Sequence, residues 1–355
     1  MTKWHIGFLG AGNITETHMK AAAEIEDLEI VAVSGQNAER VANLAEEFKC
    51  AGYGSEEEFW GHRPLDIVAI GSPSGVHAKQ GIEAAARGIH VLVEKPIDVT
   101  LEEADRLISV CQENQVQLGV FFQDRVNPDF IHLKQLLDSG TLGRPLITSA
   151  QVKWFRPPEY YSQSRWRGTW QYDGGGALIN QAIHTVDLML WLLGPVKKAS
   201  SLAATRFHDI EVEDALVGIL EFDNGALATL EATTCAYPGF PRRLVISGSR
   251  GSAVIEDNRV ISVDLEGDRQ QAHNAQERAD TDNRSETSPV VSDVSGHRKI
   301  MENFLNAIRN RESLACDGAE GRRSLELVQI LYQSARIGRE TKGPSVPQWE
   351  KTAGG

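Results

Sequence analysis

The chain has 355 residues, 41% hydrophobic and 24% charged, and a formal net charge of −13. This length favours two domains of an ordinary soluble globular protein. The acidic balance argues against nucleic acid or an anionic membrane as main partner, and no apolar run is long enough to span a bilayer. Met1–His5 leads straight into Ile6-Gly7-Phe8-Leu9, with no signal-peptide pattern. Cys50, Cys111, Cys235 and Cys316 are far apart and show no CxxC or Cys/His spacing. The expectation is reduced thiols, no metal site and a cytoplasmic protein.

Trp4–Leu9 reads as a first strand. Gly10-Ala11-Gly12-Asn13-Ile14-Thr15 follows and opens an alanine-rich helix reaching to about Glu26. A GxG that closes a strand and opens a helix is a phosphate cradle. Its backbone N–H groups can approach a pyrophosphate, and the helix N-terminus favours the negative charge. Thr15 stands where a third glycine or alanine is usual, which predicts a slightly wider spacing of helix and strand. The second strand is Glu29–Ser34. Its end normally carries the acid that binds the adenosine ribose and selects NAD. Here the end is Ser34-Gly35-Gln36-Asn37, with no carboxylate before Glu39 and with Arg40 one turn into the next helix. The missing acid removes a repulsion against a 2′-phosphate, yet no clear phosphate clamp replaces it. The reading leans to NADP and leaves NAD open.

Asn37 caps a helix with Val41, Leu44, Ala45 and Phe48 at helical spacing. Leu65–Ile70 is a third, doubly buried strand. It ends in Ser72-Pro73-Ser74-Gly75-Val76-His77, with Ser74 as expected N-cap and His77 in the first helical turn near the cofactor. Val91-Leu92-Val93 is the fourth strand, stopped by Glu94-Lys95-Pro96. Proline cannot donate to the ladder and pushes Lys95 out of the helical region. A lysine is thereby planted at the carboxyl edge of the sheet, where burial or a cationic neighbour would make it a proton donor or acceptor. Thr100 opens a capping box, and Val116–Phe122 is a fifth strand with Gln123 at its edge. This rhythm predicts an α/β, doubly wound parallel sheet over residues 1–123.

Residues 124–355 read as a second α/β domain with a large open, mostly antiparallel sheet. Asn127-Pro128 starts a linking helix, and Leu146–Phe155 is the first strand of the new sheet. Phe155–Tyr172 is dense in arginine and aromatic residues. Arg165, Trp166, Arg167 and Tyr172 are its substrate-contact candidates, because aromatic faces stack on sugar rings and arginines clamp oxyanions. A helix is expected from Gly174-Gly175-Gly176 to Leu193, with Asn180, His184 and Asp187 on one face and Asp187 placed to orient the imidazole or to bond nearby backbone. Strands follow at Val196–Thr205, Ala215–Phe222, Ala226–Thr233, Arg243–Ser247 and Ala253–Ile255, with a hairpin at Asp223-Asn224-Gly225. An uncovered face of such a sheet suits a homo-dimer or homo-tetramer. Leu265–Val294 reads as a mobile loop or lid, and helices near His297–Arg309 and Glu320–Ile337 close the second domain.

Taken in order, the GxG turn, Ser72-Pro73-Ser74…His77, Glu94-Lys95-Pro96, the triple glycine and His184 with Asp187 make the chain resemble the glucose–fructose oxidoreductase / inositol dehydrogenase family over nearly its whole length. The resemblance implies a Rossmann domain, a nicotinamide cofactor, and sugar, cyclitol or related alcohol or ketone substrates. It implies catalysis by Lys95 and His184 and a cis Lys95–Pro96 bond. Members that oxidise inositol or glucose commonly carry Asp where this chain has Asn180. The run Asn180-Gln181-Ala182-Ile183-His184 is more similar to the branch acting on sugar C3 positions, nucleotide sugars included. The leading reading is an NAD(P)-dependent oxidoreductase of a carbohydrate secondary alcohol. Lys95 would polarise the oxygen, His184 would serve as acid/base because histidine titrates near neutrality, and Asn180 would hold the hydroxyl, with the first two roles exchangeable. A glycosidase or lyase working by transient oxidation, and a non-catalytic sugar sensor, are the alternatives. On the cofactor side the candidates are Gly10, Gly12, Asn13, Ile14, Ser34, Gln36, Arg40, Ser72, Pro73, Ser74, His77, Glu94, Lys95 and Gln123.

Overall fold

The computed structural model describes residues 3–164, 166–267 and 293–338. The first part alternates strand and helix: β1 (Trp4–Leu9), α1 (Asn13–Ala23), β2 (Leu28–Ser34), α2 (Ala38–Phe48), β3 (Ala51–Tyr53), α3 (Glu56–Trp60), β4 (Ile67–Ile70), α4 (His77–Ala85), β5 (His90–Val93), α5 (Leu101–Glu113) and β6 (Leu118–Val120). The six strands are parallel in the order β3-β2-β1-β4-β5-β6. The winding reverses between β1 and β4, and the crevice at their carboxyl ends is where such sheets take ligands. β4 is buried along its whole length and β5 from Val91 to Val93, which accounts for their unbroken apolar runs. β3 and α3 add to the sequence reading; at three and five residues they are too short to carry a periodic signal.

Two expected caps form: the Asn37 side chain accepts from the Arg40 N–H at 3.0 Å, and Thr100 from the Glu103 N–H at 3.2 Å. Ser74 does not cap. It lies in a short 3-10 turn, Ser74–Val76, and α4 starts only at His77, where Asp98 takes the Ala78 N–H at 2.9 Å.

The second part holds α6 (Pro128–Asp138), β7 (Pro145–Lys153), α7 (Glu159–Ser162), α8 (Ile183–Leu193), β8 (Val196–Ala204), β9 (Ala215–Phe222), β10 (Leu227–Thr233), β11 (Arg243–Gly248), β12 (Gly251–Glu256), β13 (Arg259–Leu265), α9 (Ser295–Ile308) and α10 (Gly318–Ile337). Its seven strands run β13-β12-β11-β7-β10-β9-β8, antiparallel except for the β7–β10 pair. Side chains alternate across the sheet. Leu216, Leu220, Leu230 and Ala232 are buried on the face against which α8 and α10 pack. Leu202, Val217, Ile219, Leu227 and Ile147 stand exposed on the other, with Leu202 paired to Val217 and Leu227 to Ile147.

One element departs from the expected assignment. Helix α9 does not close the second domain; its Ile300, Met301, Phe304 and Leu305 join Phe8, Met19 and Val33 in a first-domain core beside α1. An apolar stripe finds whichever complementary face is nearest, and sequence order does not say which that is. Most of the segment read as a loop or lid, and the tail from residue 339, lie outside the described residues. Among the described residues no helix is long and apolar enough to cross a membrane.

Candidate active site

The glycine turn is shaped by close approach. Gly10 has φ +98°, and a Cβ there would lie 2.6 Å from the Gly71 carbonyl oxygen at the end of β4. Gly12 is the N-cap of α1, extended, with no side chain capping the helix and open space where a Cβ would stand. The first N–H groups of α1, from Asn13 and Ile14, are therefore left for an outside acceptor. Thr15 is fully buried. Its bulk is taken up by Gly71, where an added Cβ would come within 3.0 Å of the Thr15 hydroxyl. These residues form a cradle suited to a dinucleotide's pyrophosphate.

The cradle opens into a cleft of about 1180 Å³ between the two sheets. Gly10, Gly12, Asn13, Ile14, Ser34, Gln36, Ser72, Pro73, Ser74, His77, Glu94, Lys95 and Gln123 line it from the first domain, and Trp166, Arg167, Tyr172, Asn180 and His184 from the second. Arg165 lies outside the described residues. Arg40 does not line the cleft: its guanidinium braces the glycine turn, donating to the Ala11 carbonyl at 3.3 Å and to Asn13 and Glu16 at 3.2 Å each. His77 ties two strand ends together, with its ring nitrogens 2.8 Å from the carbonyl oxygens of Pro96 and Ser72.

Lys95 follows β5 directly, and its bond to Pro96 is cis. Its Nζ donates to the Asn180 carbonyl at 2.8 Å, across the domain junction. Burial pushes the amine below the usual lysine range; Glu94 and Asp173 pull it up, and Arg156 adds to the lowering. Glu94 is buried beneath it, one oxygen 2.9 Å from His18 Nε2 and the other accepting the Lys95 N–H at 3.0 Å. Burial works against the charged form of Glu94, but the hydrogen bond from His18 and the surrounding positive charge hold the carboxyl at about 2. His297, from α9, sits 4.0 Å from the same carboxylate and 2.5 Å from the Gln123 amide.

The triple glycine does not begin a helix as expected. Gly174 and Gly175 have positive φ, and a Cβ on Gly176 would lie 1.7 Å from the Glu213 carbonyl oxygen. The run is a tight crossing, and Glu213 caps the turn after it, accepting the N–H groups of Gly176 and Leu178 at 2.8 Å each. Residues Ala177–Ala182 form a wide π-helical turn before α8. Asn180 and His184 still face the cleft. Asp187 does not reach the imidazole: it is fully buried and holds Arg125 through two bonds of 2.8 Å, with the Ser324 hydroxyl donating at 2.8 Å. The His184 ring packs edge-on against Phe122 and has no hydrogen-bond partner among the described residues. Burial, then the Lys95 charge, push it down to about 3, so it stays neutral at physiological pH.

Asp173 is a site residue that the sequence reading missed. It accepts the Gly168 N–H at 2.7 Å and the Asn180 side-chain amide. Burial raises it to about 6, so near neutrality it is an acceptor only. That fixes Asn180 with Nδ2 toward Asp173 and Oδ1 as its acceptor face. An acidic residue immediately before the glycine run was the available signal. His18 and His297 carried none, since single histidines in helical stretches are common.

Fold and cleft together define a two-domain α/β protein with a dinucleotide-type cradle in its first domain and a lysine in the cleft that both domains line. Residues 4–122 match the family model described as the oxidoreductase family with an NAD-binding Rossmann fold, and residues 130–254 the GFO/IDH/MocA C-terminal domain. The WlbA dehydrogenase of Bordetella pertussis, solved with NADH and UDP-GlcNAcA, superimposes with a TM-score of 0.83 at 31% identity over 94% of this chain and 97% of that one. The D-glucoside 3-dehydrogenase of Escherichia coli K12 is 26% identical over 94% of this chain and 95% of its own length. The UDP-N-acetylglucosamine 3-dehydrogenase of Acidithiobacillus ferrooxidans is 26% identical over 92% and 95%. The chain belongs to the GFO/IDH/MocA family of NAD-binding oxidoreductases.

Proposed function

We propose that the protein oxidises, or forms by reduction, a secondary alcohol of a sugar, glycoside or nucleotide sugar, with C3 of the ring as the favoured position. The observation that carries this reading is the half-buried Lys95 amine sharing one cleft with the neutral His184 imidazole and the Asn180 amide. The names of two relatives, both 3-dehydrogenases, support the position. A nicotinamide supplies the hydride acceptor or donor. Lys95 moves the hydroxyl proton, because burial brings its amine toward the working range. His184 donates or accepts a hydrogen bond without changing charge, and Asn180 Oδ1 accepts from a neighbouring hydroxyl. Lys95 and His184 thus take the exchanged roles, the alternative to the division favoured by histidine's ordinary titration. A screen of glycosides and nucleotide sugars for formation of reduced nicotinamide tests the reading. Free sugar released without net reduction would favour the glycosidase alternative.

The pH profile separates the two residues. For alcohol oxidation kcat/KM should rise with pH as Lys95 loses its proton, with a midpoint below the ordinary lysine value of 10.5. An acid limb at about 6 should belong to Asp173 and vanish in Asp173→Asn. If that limb vanishes instead in His184→Asn, proton transfer returns to the histidine.

Cofactor choice should be permissive. Arg40 braces the glycine turn and Glu16 and does not line the cleft, so the lean to NADP rests on the missing acid alone. Gln36 is exposed at the end of β2 and lines the cleft. Gln36→Asp should raise the preference for NAD by adding a ribose acceptor and repelling the 2′-phosphate. Dissociation constants for both cofactors test this, and an unchanged ratio would place the ribose elsewhere. The exposed apolar face of the second sheet is the proposed homo-dimer or homo-tetramer surface. The four free thiols fit a cytoplasmic setting.

A further inference from the structure

Lys95, Arg156 and Arg167 line the second-domain end of the cleft. Their setting is costly. Arg156 is 2% exposed, and its guanidinium donates to the Phe155 carbonyl and the Gln181 side chain at 3.1 Å each. It flanks the Tyr160 ring at 5.6 Å, and Arg167 flanks the same ring at 4.2 Å. Burial pushes Arg156 down, and the Arg167 cation adds to that; Arg156 in turn lowers Lys95. Like charges crowded in a desolvated site repel, and a bound anion relieves them. The buried Arg167 Nε has no hydrogen-bond partner among the described residues.

The carboxylates lining the cleft are engaged elsewhere. Glu94 is held by His18 and the Lys95 N–H, Asp124 takes Arg242 in two bonds, Glu56 takes the Gln80 amide, and Asp293 accepts the Ser295 N–H. Asp173 does not line the cleft, and its single charge acts on both Lys95 and Arg167, one carboxylate against three cations. The cofactor's phosphates have their own cradle at the end of β1. So a chain of net charge −13 keeps a positive corner where the substrate binds.

We infer that this corner, built around Arg156 and Arg167, recognises an oxyanion carried by the substrate, a carboxylate or a phosphate on the sugar. The inference rests on the carbohydrate reading above and narrows it. Trp166 and Tyr172 remain as faces for the ring, while the guanidiniums take the charged group in charge-assisted hydrogen bonds.

Calorimetric binding and turnover with the NAD-loaded full chain test this, using methyl glucoside, glucuronate and glucose 1-phosphate at low and high salt. At least one charged sugar should bind about tenfold or more tightly than the neutral one. That advantage should shrink in salt. R167Q should remove most of it and R167K should retain part, with melting curves checking the fold of each. Preference for glucuronate assigns a carboxylate, and preference for glucose 1-phosphate a phosphate. Equal binding of charged and neutral sugars by the unaltered protein would overturn the inference, as would R167Q weakening all three by one factor. Charged sugars that bind tightly without reducing the cofactor would sink the redox reading and leave the anion site standing. Neutral glycosides oxidised at full rate with no charged-sugar advantage would do the reverse.

Discussion

Replacing Lys95 with methionine should lower kcat by roughly 10²–10⁴-fold, the usual contribution of general acid–base assistance. Methionine keeps the apolar stem but loses the proton, the charge and the 2.8 Å bond to the Asn180 carbonyl. The glycine cradle is untouched, so cofactor affinity should largely survive. His184→Asn should cost less, because the proposed role of the neutral imidazole is a hydrogen bond and not a proton transfer. If the two serve one substrate oxygen, the double mutant should lose far less than the product of the single losses. Fully multiplicative losses would put them in separate steps, and near-normal turnover in Lys95→Met would remove the lysine from the mechanism. A second readout is independent of turnover. Burial is the main force holding His184 low and the Lys95 charge comes next, so the imidazole should titrate higher in Lys95→Met. NMR of the ring protons would see that shift or its absence.

Asp187→Ala should be the most destabilising single change near the site, by about 3–5 kcal/mol. It leaves the buried Arg125 guanidinium without its two-bond partner and strips the Ser324 hydroxyl of its acceptor. Glu320, at 2.9 Å from Arg125, is half-exposed and cannot replace a fully buried carboxylate. Arg125 follows the last strand of the first sheet, Asp187 sits on α8 and Ser324 on α10, so one ion pair pins three elements. Denaturant unfolding of purified protein would measure the loss. A change under about 1 kcal/mol would mean the pair contributes as little as an exposed one. Had Asp187 oriented His184, the substitution would act mainly on kcat, so the same variant also tests the displaced assignment.

Chain order and local chemistry were enough for the parallel sheet, because each Rossmann strand ends in its own punctuation. Gly10 follows β1, Ser72-Pro73 follows β4 and Pro96 follows β5. These residues act on φ, on ladder donors and on close approach within a few positions, and such effects are written locally. The lysine at the sheet edge, the caps at Asn37 and Thr100 and the cleft-facing pair Asn180 and His184 were legible for the same reason.

What the tertiary structure decided are the matters of partner and phase. The 3.6-residue period placed Asp187 with His184 on one helix, but its carboxylate is taken by the buried Arg125 and by Ser324. Position near the C-terminus assigned α9 to the second domain, but its apolar stripe fits the first. Histidine's ordinary titration favoured His184 as the acid/base, with Lys95 as the exchangeable alternative. Burial and the Lys95 charge push the imidazole down to about 3, and on that ground Lys95 is proposed to move the proton. His18 and His297 meet Glu94, and the Asp173 charge meets Lys95, only when residues far apart in the chain come together. Desolvation and pairing depend on those distant neighbours, and a linear sequence read without the fold does not contain them.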